Sequence, residues 1–221
     1  MHHIQAKILQ KLLYSESLNY AGMRPEGVES NHFAYHLEQL LKEGLVVKDN
    51  KTYRLSPAGL AYVDSLSQGK MVTRRQPNVS TMIDVTTPDG QTLLFKRNFQ
   101  PYIHLVGLPL GKLHYEERVA DAATRELAEK TGLTGLELAH RGLVYIHITQ
   151  GGTTITRILC HVFHSDAPVP LPVSIPPERG EVFWADHTQL DPQTFAPGFA
   201  RVKQLLADGD QLFFEEIEAE L

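Results

Sequence analysis

The sequence predicts an α/β chain built from two units, and three observations carry that prediction. Residues 119–130 form a helix pattern with charged heads gathered on one face. Strand-like runs lie on both sides of that helix, at 82–97 and 143–164. The first 66 residues carry a different pattern, helices around a single hairpin. The predicted boundaries are a small unit at 1–66, a linker at 67–77 and a larger unit at 78–221.

Taken in order, Ile4, Ile8 and Leu12, with Leu9 and Leu13, give a helical apolar stripe. The Gly/Pro-punctuated stretch from Ala21 to Gly27 has room for one short turn of helix. Ser30 is the expected N-cap of a helix carrying Phe33, Leu37, Leu40 and Leu41, which Gly44 ends. Leu45–Leu55 reads as a hairpin turning at Asp49-Asn50, and Ser56-Pro57 opens a closing helix with Leu60 and Val63 inward. Ser67 to Pro77, with Gly69, Arg74 and Arg75, reads as the linker.

In the larger unit, Met82–Arg97 reads as two strands joined at Pro88-Asp89-Gly90, and Leu143–Thr149 with Thr154–His164 as a hairpin around Gly151-Gly152. Glu181–Trp184 is a late strand, and Gly198–Leu206 is a helix with Phe199, Val202, Leu205 and Leu206 inward. The acidic tail from Glu215 to Glu220 reads by default as a solvated helical end. Between the strands, Val119–Lys130 is rich in good helix formers, and Thr131-Gly132 stops it. Glu126, Glu129 and Lys130 share a face at i, i+3 and i+4, beside an apolar stripe of Val119, Ala123 and Leu127. Two carboxylates beside loop carbonyls suit a hard cation such as Mg²⁺; a solvated charged face with a Glu126–Lys130 ion pair is the plainer alternative.

Written as a pattern, Gly111 to Leu133 is G-x5-E-x7-R-E-U-x-E-K-x-G-U, where U is a bulky aliphatic residue. It resembles the Nudix box at every fixed position except Lys130, where the family carries its last glutamate. The resemblance extends over roughly the last two-thirds of the chain, with a strand ending in Arg97 before the box and Asp186 after the late strand. It implies a mixed sheet sandwiched by helices. It also implies hydrolysis of a nucleoside-diphosphate-linked metabolite, of ADP-ribose, dinucleotide or sugar-nucleotide type, with Mg²⁺ or Mn²⁺.

Residue by residue, it makes Arg125, Glu126 and Glu129 the catalytic set, and Glu117, Glu126 and Glu129 metal ligands, joined by the Leu110 carbonyl. Glu117 is also the expected partner of Arg125. Glu178 and Glu181 are candidate late-loop acids. Gly111 admits backbone close to the ion or phosphate, and Lys130 is a direct phosphate contact. Protonated Lys130 cannot ligate a cation and sits in the favourable orientation to pair with Glu126. Three outcomes stay open: a rebuilt site, weak catalysis, or binding without cutting. Tyr102, His104, Tyr145 and Trp184 are aromatic candidates for base stacking, with core or surface packing as the alternative.

The first unit resembles a winged helix-turn-helix, with the run Tyr35–Val46 like a recognition helix entering the wing. That resemblance implies DNA contacts from Asn31, His32 and Tyr35 on the helix and Lys51 and Arg54 on the wing, with Arg74 and Arg75 behind. Small winged domains also dimerise or dock, so a homodimer stands beside DNA as a partner. A winged helix joined to a Nudix domain with an altered box resembles transcription regulators that sense ADP-ribose-like metabolites, in which the domain order is reversed. Charge does not decide between them: residues 1–70 carry 8 Lys/Arg against 7 Asp/Glu, leaving 13 against 19 of the totals of 21 and 26.

Composition limits the rest. The 221 residues hold one Cys, Cys160, which excludes an internal disulfide and reads as a buried inert thiol. No apolar run is long enough for a bilayer span, and the start lacks the apolar core of a signal peptide, so a cytoplasmic, membrane-free protein is expected. The eleven histidines show no zinc spacing, and His2-His3 reads as solvated.

Overall fold

The computed structural model describes residues 1–64, 66–67, 72–73, 76–175, 180–209 and 211–221. The linker arginines Arg74 and Arg75 and the loop acid Glu178 lie outside the described residues. The chain divides into two compact units, Met1–Arg75 and Gln76–Leu221.

In the first unit, α1 (His3–Leu13) buries Ile4, Ile8, Leu9 and Leu12 along the predicted stripe. His2 and His3 are exposed, as expected, and His2 also caps the helix with a capping box and stacks on His36 at 4.0 Å. After β1 (Leu18–Asn19) and the short α2 (Tyr20–Met23) comes α3 (Ser30–Lys42), with Phe33, Leu37 and Leu40 inward. The N-cap of α3 is Glu29 without a side-chain cap bond; Ser30 is already helical. β2 (Val46–Asp49) and β3 (Thr52–Leu55) form the hairpin, turning through Asn50 at φ 53°, and β1 adds to β3. α4 (Pro57–Asp64), which precedes the short paired strands β4 (Leu66–Ser67) and β5 (Val72–Thr73), buries Val63, whereas Leu60 is exposed. Gly59 takes the inward place instead, since a Cβ there would meet the Leu45 carbonyl oxygen at 1.9 Å.

The second unit is a mixed sheet between helices. Among the described residues the order is β12-β7-β6-β11-β10-β13, with short β8 (Val106–Gly107) on β7 and β9 (Leu110–Lys112) on β6. β6 (Asn78–Thr86) lies parallel to β11 (Thr153–Asp166), and β10 (Ala139–Gln150) parallel to β13 (Phe213–Glu220). β10 and β11 pair antiparallel across Gly151-Gly152 as expected. β6 and β7 (Thr92–Lys96) share only the Thr86–Thr92 pair: β7 turns to β12 (Glu181–Ala185), and β6 is claimed by β9 and β11. The acidic tail is β13, not a helical end. Alternation explains this: Ile217 is buried and Phe213, Glu215 and Ala219 are half-buried, with Phe214, Glu216 and Glu218 turned outward.

Successive β6 residues point to opposite faces, and both faces are covered. Ile83 and Val85 pack with Ala123 and Leu127 of α5 (Val119–Thr131). Met82 faces the other core, with Phe199 and Val202 of α6 (Phe199–Ala207). Burial on both sides is why β6 reads as a nearly unbroken buried run. Cys160 is fully buried in the α6-side core, and burial pushes its thiol up to about 12, which makes it inert. Among the described residues no helix is long and apolar enough to cross a membrane.

Candidate functional site

The helix α5 ends where the sequence places its stop, with Gly132 left-handed at φ 78° and its N–H on the Ala128 carbonyl. Its apolar stripe faces the sheet, which leaves Arg125, Glu126 and Glu129 beside β9 and the loop after it. Arg125 gathers them. Its Nε and Nη2 meet Glu117 Oε2 and Oε1 at 2.9 and 2.6 Å, Nη1 meets Glu126 Oε1 at 2.7 Å, and Nη2 donates to the Lys112 carbonyl at 3.1 Å. Glu129 Oε1 is 3.6 Å from Nη1.

Glu117 also accepts the His114 N–H at 2.6 Å, and the Arg125 hydrogen bonds hold its carboxyl down at about 2. Both of its oxygens are therefore engaged, which makes the residue an anchor for Arg125. Glu126 is only 5 % exposed. Its Oε2 accepts no hydrogen bond among the described residues. Gly111 lies directly against it: a Cβ there would come within 1.7 Å of that carboxylate. The close approach that Gly111 permits is thus to Glu126 itself.

Lys130 does not pair with Glu126. Arg125 has taken that carboxylate, and Lys130 Nζ lies over the Phe95 ring, 5.6 Å from its centroid. It lines an apolar pocket together with Leu110 and Arg97. Glu181 is exposed on β12 opposite Lys96 and lines a separate open groove with Lys96, Arg97 and His104. The structure therefore brings Arg125, Glu126, Glu129, Glu117 and Gly111 together and puts Leu110 and Lys130 at the adjoining pocket; among the described residues Glu181 makes no hydrogen bond or ion pair with the cluster.

A model of the NUDIX domain matches residues 75–206, more than half of the chain. The chain belongs to the NUDIX domain family. Two isopentenyl-diphosphate Δ-isomerases are similar to it. That of Dinoroseobacter shibae is 34% identical over 112 residues (47% of this chain, 61% of the relative), and one from Cereibacter sphaeroides is 30% identical over 126 residues (52% and 71%). The chain thus spans less than two thirds of the first relative's length. Among solved structures, a MutT NUDIX hydrolase from Burkholderia pseudomallei is 27% identical with a TM-score of 0.51, covering 60% of this chain and 99% of its own. The NUDIX domain of Shewanella oneidensis NrtR, complexed with ADP ribose, shares the fold at 16% identity and a TM-score of 0.52, with 70% and 98% covered.

Nudix hydrolases generally use a divalent metal, and the donor set can be tested against one. Glu126 and Glu129 are oxygen donors of the right hardness, and the Gly111 cradle keeps Glu126 at the backbone. Among the described residues no three His, Cys, Asp or Glu side chains converge on one point. The residues fit an ion that takes two protein carboxylates and fills its sphere with water and substrate phosphate, as Mg²⁺ commonly does.

Sequence reasoning missed a second charged group, on the α6 side of the sheet. Asp84 is 1 % exposed and meets Lys203 Nζ at 2.7 Å and His164 Nδ1 at 2.9 Å. Lys203 reaches Thr92 Oγ1 at 3.4 Å, and Thr92 meets His187 at 3.1 Å. Burial works against the Asp84 carboxylate, but the His164 hydrogen bond and the Lys203 charge outweigh it, so its pKa falls. The hydrogen bond to Asp84 raises His164. The available signal was an acid inside an otherwise apolar strand run. Of the aromatic candidates, Trp184 donates to the Leu171 carbonyl at 2.9 Å within the α5-side core, Tyr145 is half-buried on β10, His104 lines the open groove, and Tyr102 lines the apolar pocket.

In the first unit, Asn31, His32 and Tyr35 are exposed on α3, and Lys51 and Arg54 are exposed on the hairpin.

Proposed function

We propose that the NUDIX unit hydrolyses a diphosphate-linked metabolite, of the nucleoside-diphosphate class that the box implies, with Mg²⁺ or Mn²⁺ held by Glu126 and Glu129. The observation that carries this reading is the gathering of acids by Arg125 beside Gly111, which leaves Glu126 Oε2 unengaged at a backbone surface. Two similar proteins support the diphosphate group: the relatives named for isopentenyl diphosphate and the neighbour complexed with ADP ribose both handle one. When bound, the ion offsets the charge that builds on the phosphoryl oxygens. The chain's own part is positional. Glu117 fixes Arg125, Arg125 fixes Glu126, and the Gly111 backbone fits against the same carboxylate. Lys130, with no carboxylate partner among the described residues, is a point charge for a phosphate oxygen. The test is a screen of ADP-ribose, NADH, sugar nucleotides and oxidised nucleotides with Mg²⁺ or Mn²⁺, beside Lys130→Glu. Turnover of at least one supports the reading, and turnover of none under any metal rejects it.

A second reading, a metabolite-sensing regulator, is favoured by one observation: the exposed α3 face of Asn31, His32 and Tyr35 beside the Lys51 and Arg54 hairpin. In that reading the first unit is a winged helix that binds DNA. Duplex binding should then weaken with salt, and Arg54→Ala should lower the salt slope by about 1. A chain that binds no duplex at low salt is not a DNA reader.

A further inference from the structure

The pocket beside the acid cluster has a chemistry of its own. It is lined by Met82, Phe95, Leu108, Ile146, Ile158 and Phe199, encloses about 90 Å³, and has two cations on its wall, Arg97 and Lys130. No acidic or amide side chain lines it. It adjoins the cluster through Leu110, next to Gly111, and through Lys130, next to Glu129 and one helical turn from Glu126.

Two polar atoms in this wall are unsatisfied. Tyr102 is 8 % exposed, and its Oη has no hydrogen-bond partner among the described residues. Arg97 Nε, buried in the same wall, has none either. The guanidinium lies between two rings, with Cζ 4.1 Å from the Phe99 centroid and 5.3 Å from that of Tyr102. Burial raises the Tyr102 pKa, which keeps its hydroxyl protonated and able to donate, and it lowers that of Arg97, so the buried guanidinium gains from an anionic partner. Buried donors without acceptors are costly, and an anionic oxygen entering the pocket would satisfy them.

We infer that this pocket binds the hydrocarbon arm of a short-chain alkyl or alkenyl diphosphate, with Lys130, Arg97 and Tyr102 holding phosphate oxygens. The inference rests on the diphosphate part of the reading above and replaces its nucleoside part, because the group next to the phosphates is apolar and not a nucleobase. With Arg97, Lys130 and Tyr102 taken by phosphate oxygens, a base buried here would leave its polar edge unpaired against Met, Phe, Leu and Ile side chains. The volume is also well below the roughly 300 Å³ at which drug-sized ligand pockets begin. A short branched chain needs no polar partner, and each methylene it buries is worth roughly fourfold in affinity.

Calorimetric titration of the full chain tests this directly, with a branched five-carbon alkyl diphosphate, inorganic diphosphate and ADP-ribose as probes, in EDTA and again with Mn²⁺. The alkyl diphosphate should bind at least tenfold more tightly than either of the others. Tyr102→Phe should weaken it several-fold while leaving the melting temperature unchanged or higher, because the hydroxyl lost has no internal partner. Lys130→Met should weaken alkyl and inorganic diphosphate alike. ADP-ribose or inorganic diphosphate binding as tightly as the alkyl compound would overturn the inference, as would no binding of any probe or an unaltered affinity in Tyr102→Phe. The two proposals fail separately. Alkyl preference without hydrolysis of any diphosphate sinks only the hydrolase reading, and hydrolysis of ADP-ribose without alkyl preference sinks only this one.

Discussion

Asp84 and Glu126 are both buried carboxylates of the same unit held by a cation, and they are opposite in what they leave available. Asp84 has both oxygens engaged, one by Lys203 and one by His164. Glu126 has one oxygen on Arg125 and the other against Gly111. A buried charge with each oxygen engaged holds elements together, here β6, β11 and α6. One with an oxygen to spare, kept rigid by a guanidinium that is itself anchored, is what the proposed cation site requires. Under the proposed function, partner count separates a structural acid from a metal-binding one, where burial alone would rank Asp84 first.

Several substitutions sharpen that contrast. Asp84→Ala has the largest expected effect on stability, about 3 kcal/mol, since it leaves Lys203 without its acid in a largely buried setting. Thermal unfolding measures it, and divalent-cation affinity should not change. Gly111→Ala should do the reverse. Its Cβ would displace the Glu126 carboxylate, and turnover should fall on the order of a hundredfold for a modest change in melting temperature. Lys130→Glu restores an acidic i, i+3, i+4 set and should raise Mn²⁺ affinity on the order of tenfold, read by titration.

The smallest effect is a pH dependence. Asp84 is depressed, so its contribution is present above the unfolded value near about 4 and lost as pH falls through its folded value. His164 is raised, so its contribution is present below about 6.5 and lost as pH rises through its folded value. The melting-temperature gap between wild type and His164→Gln should therefore be widest between about pH 4 and 6.5. A flat gap would remove His164 from the network.

What the sequence made legible was local. The α5 stripe and its Gly132 stop, the hairpin at Gly151-Gly152 and the α6 face all depend on neighbours a few residues away. What it hid was long-range. The partnering of β6 by β11 joins residues about 80 apart, so the hairpin signal at Pro88-Asp89-Gly90 could not show that the two strands diverge. β13 was masked by its glutamates, which favour helix by propensity and here keep the exposed side of an edge strand charged. The Asp84 network assembles side chains from β6, β7, β11 and α6, and no spacing along the chain announces it. At the site, the box residues Glu117, Arg125, Glu126 and Gly111 lie together. The choice of partner for Glu126 was lost, because an adjacent arginine anchored by Glu117 outcompetes a lysine one turn away.

Glu126 is the centre of the proposed site, and the most direct test is Mn²⁺-dependent turnover of a diphosphate substrate by wild type and Glu126→Gln side by side. The amide keeps the shape and removes the charge. Turnover should fall at least roughly a hundredfold, more than the loss of an outer-shell partner costs a metal site, with the melting temperature nearly unchanged. Wild-type turnover that survives Glu126→Gln intact would contradict the assignment of this carboxylate to the centre of the site.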